Sequence, residues 1–499
     1  MYYVHVHERV TAEELLTALR RHGETATLEA KAAAGGLPKS LLPTLSAFAN
    51  GQGGRVVLGV DEANGFAVVP GFDAPRTARL LDEAATSELS PPLRLDIAVE
   101  DAEGGQVVVG RVAELPADAK PCFVVSRGER SGSYTRSHEG DRVLTDYEAQ
   151  ALRDNRGQPR HDAAPTEADV SDLDEDAVAA LLRRVRRRQP RIFRDAPDER
   201  ALQQLNVLVP SGGRLVPSLA GLLTLGSYPQ QFHPQAHVSF INVPGSTKGA
   251  GPADGPRFLD SQTLTGPLPA MVEDTVAAVL RNSPVAARID GVGRTDRFAF
   301  PPDAVREAVV NALMHRDYGP HSLGTQVQVE MYPDRLDVIS PGGLFGPVTS
   351  EELGEVSSSR NSRLALLLAD VALPGTDHVV CENRGSGIGV MRAVMAHDGL
   401  RAPEFTVSLT RFRTTLHREP ATTGRRTSPP AGSRSRAHRL DALRELLGDG
   451  RNHHAEDLAG ALGVGRAMTN RYLNDLIAAG EVEATAPPRD RRRRYRATT

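Results

Sequence analysis

Glu307, Asn311 and His315 recur at every fourth position within PPDAVREAVVNALMHRDYGPHSL, residues 301–323. On an α-helix that spacing puts all three on one stripe, while Val305, Ala308, Val309 and Ala312 pack elsewhere. A plain solvated face has the same appearance. Two glycine-rich stretches bear on the choice. In DRLDVISPGGLFG, Gly342 and Gly343 follow a strand directly, where backbone can approach a ligand because no Cβ intrudes. In ENRGSGIGVMRAVM, Gly385, Gly387 and Gly389 open a helix whose free N–H groups and positive end form a seat for phosphate. A simple turn and helix start would use similar residues, so the order of the three features says more than any one of them.

Two other groups of residues carry chemistry. Glu24 and Glu29 lie five apart, and Asp61 closes a strand in the same stretch, GETATLEAKAAAGGLPKSLLPTLSAFANGQGGRVVLGVDEANG. Taken alone, three such acids are ordinary surface carboxylates. Near the carboxy terminus, HHAEDLAGALGVGRAMTNRYLNDLIAAGEVEAT has the rhythm of a helix-turn-helix, with Gly463, Val464 and Gly465 as the turn. Its second helix would expose Arg466, Thr469, Asn470 and Arg471 to a major groove. The tail RDRRRRYR, including Arg491, Arg492, Arg493 and Arg494, would grip phosphate as a wing. A small helical protein-binding module with a solvated tail is the alternative.

The elements that must position these residues fall into segments. Residues 1–150 alternate short helical patterns with β-rich runs and read as α+β; 151–175 are polar and acidic, the composition of a linker that buries too little apolar surface to order itself. Residues 176–264 form a connecting α/β region. Residues 265–415 hold helices, the strands GTQVQVEMY and DRLDVISPGG, further helix and the strand EFTVSLTRF. A Pro/Ser/Arg-rich linker spans 416–436, and 437–499 are helical up to the basic tail.

At 499 residues and 40% hydrophobic content the chain can bury several cores. A net charge of −4 gives no global pull toward nucleic acid or an anionic membrane, so any such attraction has to be local. Cys122 and Cys381, far apart, exclude a disulfide framework or a cysteine-based zinc site and fit a reducing cytoplasm. The start, MYYVHVHERV, lacks the pattern of a signal peptide, and no apolar run is long enough to span a bilayer.

The phrases REAVVNALMHRDY, YPDRLDVISPGGL, SSSRNSRLA and RGSGIGVM, over about 120 residues, resemble the divergent branch of the GHKL ATP-binding superfamily found in bacterial ATP-binding transcriptional regulators. The resemblance implies an α/β sandwich binding ATP with Mg²⁺. Asn311 would hold the metal, and Glu307 would orient or activate water. A hard ion prefers oxygen ligands, and an amide oxygen adds no negative charge beside phosphate. The pocket would also include His315, Gly342, Gly343, Gly385, Gly387 and Gly389. Better-known members have an Asp for the adenine amino group where this chain has Ser340, which leaves Asp337 as a substitute or as a solvent-facing strand residue.

LEAK, SAFANG and GGRVVLGVDE resemble the Alba-type domain shared with Schlafen proteins. That resemblance implies a nucleic-acid-binding domain, or a metal-dependent nuclease with Glu24, Glu29 and Asp61 as ligands. The combined expectation is a cytoplasmic multidomain α+β protein: an Alba-type domain, a GHKL-like α/β sandwich and a helical winged helix-turn-helix. It would be an ATP-binding, DNA-binding transcriptional regulator, a homodimer with DNA and also RNA as partners. A Schlafen-like nuclease gated by ATP, acting in phage defence, is the competing expectation.

Overall fold

The computed structural model describes residues 10–137, 140–249, 255–283, 285–290, 293–382 and 385–418, and scattered positions between 443 and 498. The chain divides into two compact units, residues 1–15 with 24–422 and residues 16–23 with 423–499.

The larger unit opens on a four-stranded sheet. Strand β1 (Leu28–Lys31) runs parallel to β2 (Gly54–Leu58), with α1 (Leu41–Asn50) as the crossover. Strands β3 (Asp96–Ala102) and β4 (Gly105–Val112) complete the order β1-β2-β4-β3. Helix α2 (Ala74–Ser87) shares its core, with Leu81 and Ala85 packed beside Val56, Leu58 and Val108. The short pair β5 (Tyr134–Ser137) and β6 (Gly140–Val143) follows, then α3 (Asp146–Asp154), whose start is closed by a Thr145/Glu148 capping box. Asn50, fully buried at the end of α1, donates to the carbonyls of Cys122 and Tyr134 and accepts from Cys122 N, which ties the helix to the returning chain.

The stretch 151–175 is not the unordered linker its composition suggested. Its polar groups bond to backbone elsewhere: Asp162, 1% exposed, accepts from the N–H groups of Arg363 and Leu364. Leu219 N donates to Ala164 O and Asp174 N to Leu225 O, while Ala168 and Leu173 are buried. A polar segment needs no core of its own when an existing one offers unfilled backbone partners.

Helices α4 (Glu175–Arg188), α5 (Pro190–Phe193) and α6 (Asp198–Gln204) lead to the hairpin β7 (Leu208–Ser211) and β8 (Arg214–Pro217), then α7 (Leu219–Leu225). The main sheet has six strands. They are β9 (Val238–Asn242), β10 (Asp260–Leu264), β13 (Val327–Met331), β14 (Arg335–Pro341), β15 (Glu404–Ser408) and β16 (Arg411–His417), in the order β10-β9-β13-β14-β16-β15. Only β9 and β13 are parallel. Since β9 and β10 precede residue 265, the boundary expected there cuts through a sheet. Helices α8 (Leu268–Asn282), α9 (Pro302–Met314), α10 (Ser362–Leu368) and α11 (Gly387–His397) belong to the same domain, and a hairpin, β11 (Val285–Asp290) with β12 (Gly293–Phe298), separates α8 from α9. One apolar core runs from Leu173 to Leu416, so the connecting region and the sheet domain fold together.

In the smaller unit, Leu443, Leu447, Leu458, Tyr472, Leu473 and Leu476 form a core with Val482 and Tyr495. Strands β17 (Val482–Ala484) and β18 (Tyr495–Ala497) pair antiparallel there.

Candidate nucleotide site

The sequence of α9 makes the site. Ala304, Val305, Ala308 and Val309 are buried in the core, and the remaining stripe carries Asp303, Arg306, Glu307 and Asn311 to the wall of a cavity of about 670 Å³. Gly385, Ser386 and Gly387, at the start of α11, line the same cavity. Helices α9 and α11 approach so closely that a Cβ added to Gly387 would stand 2.8 Å from Glu307 Oε2 and 3.1 Å from Asn311 Nδ2. A side chain there would push the Glu307 carboxylate aside, and glycine's lack of one keeps the α11 amino end open toward the carboxylate and the amide.

The opposite wall comes from the end of β14 and the segment 342–361, which contains no helix or strand. Gly342, with φ +103°, bends away from the strand; a Cβ on it would meet Arg360 Nη1 at 2.4 Å and Asp317 Cβ at 2.9 Å. Val338 and Ser340 face the cavity, and Ser340 Oγ donates to Ala312 O at 2.6 Å. Beyond them lie Gly343, Leu344, Phe345 and the run Ser357–Arg360.

Electrostatically the cavity is mixed. Burial pushes the Glu307 carboxyl above the ordinary range; Arg306, 2.8 Å away, opposes the rise, and Asp303 and Glu382 add to it. His315 caps the end of α9 and lines the cavity. Burial first, and Arg360 second, bring its imidazole down to about 4, so it is neutral at pH 7. Arg360 is 5% exposed. It donates to Asn155 Oδ1 (3.1 Å) and Gly343 O (3.3 Å) and lies 3.6 Å from Asp317. Its Nε and the neighbouring Ser359 Oγ are buried with no hydrogen-bond partner among the described residues.

The structure therefore brings together Glu307, Asn311, His315, Gly342, Gly343, Gly385 and Gly387. Two expected members are elsewhere. Asp337 is 3% exposed on the other face of β14, where it accepts from Thr415 Oγ1 (2.7 Å) and Arg335 Nε (3.2 Å); strand alternation sends Val338 and Ser340, not Asp337, to the cavity. Gly389 lies on the exposed side of α11, with nothing within 4 Å of a Cβ placed on it. Arg306 and Arg360 were missed. SSSRNSRLA was the available signal for Arg360, but nothing in its spacing reveals that the guanidinium reaches the end of α3.

Segment 342–361 is held from outside by the amino-terminal domain. Ser350 N donates to Glu114 Oε2 at 3.0 Å, Asn155 Nδ2 to Leu344 O at 3.3 Å and Gln158 Nε2 to Arg360 O at 2.7 Å. Arg111 and Glu351 form an ion pair at 3.4 Å. A smaller cavity, of about 270 Å³, lies between the domains, and Gly343 and Leu344 line both cavities.

The three acids of the amino-terminal domain do not converge as a metal site. Glu24 and Glu29 both pair with Lys31, at 3.1 and 2.5 Å, and Glu29 also binds Arg136, which in turn pairs with Asp141 at 3.1 Å. Burial would raise Glu29, yet Lys31 and Arg136 outweigh it and hold the carboxyl below its ordinary value. Glu24 is raised, chiefly by burial. Asp61 caps its own turn, accepting from Ala63 N and Asn64 Nδ2. No cluster of three or more His, Cys, Asp or Glu suited to a metal occurs among the described residues.

Of the expected DNA-reading residues, Thr469 is fully buried and so is not presented to a groove. Arg494 is exposed beside β18, its N–H donating to Thr485 Oγ1. Arg466, Asn470, Arg471, Arg491, Arg492 and Arg493 lie outside the described residues. No helix among the described residues is long and apolar enough to cross a membrane.

Comparison with known families settles two domains. Residues 24–145 match the family described as "Schlafen, AlbA_2". The chain carries a Schlafen AlbA_2 domain. Residues 324–416 match the family described as "Putative ATP-dependent DNA helicase recG C-terminal", so the domain behind the AlbA_2 domain is ATPase-like. That second match begins after α9 and includes Gly342, Gly343 and the 385–389 loop. Among solved structures, the DIP2311 protein from Corynebacterium diphtheriae is 19% identical over 95% of this chain and 92% of its own, with a TM-score of 0.39. The N-terminal domain of a RecG-related protein from Nitrosomonas europaea is 30% identical over 27% of this chain and 95% of its own, with a TM-score of 0.22. No curated protein matches the chain.

Proposed function

We propose that this chain is an ATP-binding, DNA-binding regulator of transcription in which nucleotide in the α9/α11 cavity changes how the AlbA_2 domain and the carboxy-terminal unit engage nucleic acid. The observation that carries the reading is the meeting of Glu307 and Asn311 with Gly387 at the open amino end of α11. Oxygen ligands, helix N–H groups and a glycine cradle that a methyl group would fill match the needs of a magnesium-bound triphosphate. Asn311 Oδ1 would hold the Mg²⁺, which when bound offsets phosphate charge. Backbone N–H groups of 385–387 would receive the phosphates, and Glu307 would orient water. Near Ser340 and Gly342 the lining includes Val338, Leu344, Phe345 and Phe412, apolar side chains that suit a base. With Ser340 Oγ already donating to Ala312 O, its remaining capacity toward a base amino group is as acceptor.

Regulation follows from who holds segment 342–361. Asn155 and Gln158 bind the cavity-lining residues Leu344 and Arg360 from behind, and Glu114 and Arg111 hold Ser350 and Glu351 of the same segment. Nucleotide that favours one arrangement of the segment thereby favours one arrangement of the AlbA_2 domain, and only such a preference can shift the equilibrium. The paired strands β17 and β18 with Arg494 beside them suit a wing on the carboxy-terminal unit.

Calorimetric titration of Mg²⁺-ATP into wild type and Asn311→Ala tests the pocket; loss of one metal ligand should weaken binding by roughly tenfold to a hundredfold. Gel-shift affinity for DNA with and without Mg²⁺-ATP tests the coupling. Identical curves from a protein that binds ATP would remove it.

A further inference from the structure

Helices α4 and α5 carry RRVRRRQPRIFR, residues 183–194, which hold seven arginines and no acid in a chain whose net charge is −4. Such a run is ordinarily a solvated or unordered tail. Here it is folded onto the core through Leu181, Leu182, Val185 and Phe193, which fixes its charge in place. Three of the seven are engaged. Arg184 donates to Asp377 O at 2.7 Å, Arg186 pairs with Asp198 at 2.5 Å, and Arg188 pairs with Asp370 at 2.5 Å while donating to Ala369 O at 3.1 Å. The other four, Arg183, Arg187, Arg191 and Arg194, are exposed, and their guanidinium groups have no ion pair or hydrogen bond among the described residues. Completing the helix dipoles accounts for Arg187, in the last turn of α4, and for Arg191, in the single turn of α5, but not for Arg183 or Arg194.

We propose that Arg183, Arg187, Arg191 and Arg194 form a docking surface for the sugar-phosphate backbone of duplex DNA. The surface has the charge for phosphate and lacks what other anionic partners need. Single-strand binding uses exposed aromatic rings for base stacking, and the run's one aromatic, Phe193, is buried. Insertion into a lipid surface needs an apolar face, and Ile192 is the one large apolar residue of the run that is exposed. A duplex presents one negative charge per ~1.7 Å of axis, the densest match to guanidinium groups fixed on consecutive turns. Contact of this kind positions a duplex without reading its sequence.

The same helix holds a segment that lines the large cavity. Arg184 and Arg188 grip the segment 369–377, in which Leu373 and Thr376 line the large cavity. DNA on the outward arginines is thus one layer of protein from the nucleotide, which deepens the proposed coupling and rests on the nucleic-acid part of that reading.

The test is fluorescence anisotropy of the full chain with a labelled short DNA duplex across a salt series, for wild type and for the combined variant Arg183→Ser, Arg187→Ser, Arg191→Ser, Arg194→Ser. The variant should bind roughly tenfold or more weakly, and its slope of log affinity against log salt should be shallower by about 3 to 4, near 0.9 for each lost phosphate contact. Calorimetric ATP affinity, unchanged in the variant, serves as the check on folding. Equal affinity and equal slope would overturn the surface while leaving DNA binding elsewhere on the chain. A larger effect on single-stranded RNA, or on vesicles containing anionic lipid, would overturn duplex DNA as the partner. Patch-dependent DNA binding by a protein that takes up no ATP would sustain the surface and sink only the nucleotide reading; no DNA binding at low salt would sink both the surface and the DNA part of that reading.

Discussion

Gly387 and Glu307 face each other across the α9/α11 contact with room for a hydrogen and no more: a Cβ would lie 2.8 Å from Glu307 Oε2. Gly387→Ala should therefore displace the carboxylate and the adjacent Asn311, costing at least roughly tenfold in ATP affinity by calorimetry. Gly389→Ala, two residues on and open on every side, is the control. It should leave ATP binding unaltered and raise stability by about 0.5–1 kcal/mol, because alanine loses less freedom than glycine in a helix.

His315 makes stability depend on acidity in one direction. Its ordinary value is 6.5 and its folded value about 4, so between those limits the unfolded chain binds the extra proton and stability rises with pH. Lowering the pH from 7 to 5 should lower the denaturation midpoint, and His315→Gln should lose part of that dependence, on the order of 1–2 kcal/mol after allowance for the cavity's solvent. A titration of chemical-denaturation midpoints for both proteins checks this; parallel curves would refute it.

Arg360→Met removes a buried guanidinium and leaves Asp317 and Asn155 without it. Stability should fall by about 3–5 kcal/mol, the usual result of breaking a buried charged pair on one side. Because the same residue joins the cavity wall to the end of α3, proteolysis within 342–361 should also accelerate in the variant, which limited digestion followed by mass spectrometry would show.

In the AlbA_2 domain, Glu29 acts in the structure as a counter-ion. Glu29→Gln should destabilise the fold by about 2–4 kcal/mol, since Lys31 and Arg136 keep their charges and lose one partner. Held below its ordinary value, this carboxyl stabilises the fold above pH 4.5, and that contribution is lost as the pH falls through the folded value. Incubation of labelled RNA with Mn²⁺ and either protein separates this role from catalysis: cleavage by wild type that disappears in a fully folded variant would restore the nuclease expectation.

What could be read from the sequence was what periodicity and backbone chemistry encode locally. The α9 stripe, the Gly342 turn and the α11 start follow from spacing and from glycine, and they meet in one cavity. Asp337 was legible only as one of two alternation phases, and its contact with Thr415 comes from a strand some eighty residues later. Arg360 could not be read because its partners Asn155 and Gly343 belong to different parts of the chain. Thr469 looked like a groove-facing residue because its helix was phased on sequence neighbours alone, without the tertiary surroundings that bury it.

Asp162 changes how this protein can be divided. An acid-rich stretch with prolines invites a cut, yet its carboxylate closes the amino end of α10 from some two hundred residues away in sequence. A fragment beginning at residue 176 would leave those two N–H groups without their acceptor and strip Leu219 of its bond to Ala164. Any cut between the two matched domains has to fall before Asp162, so the acidic stretch goes with the second of them.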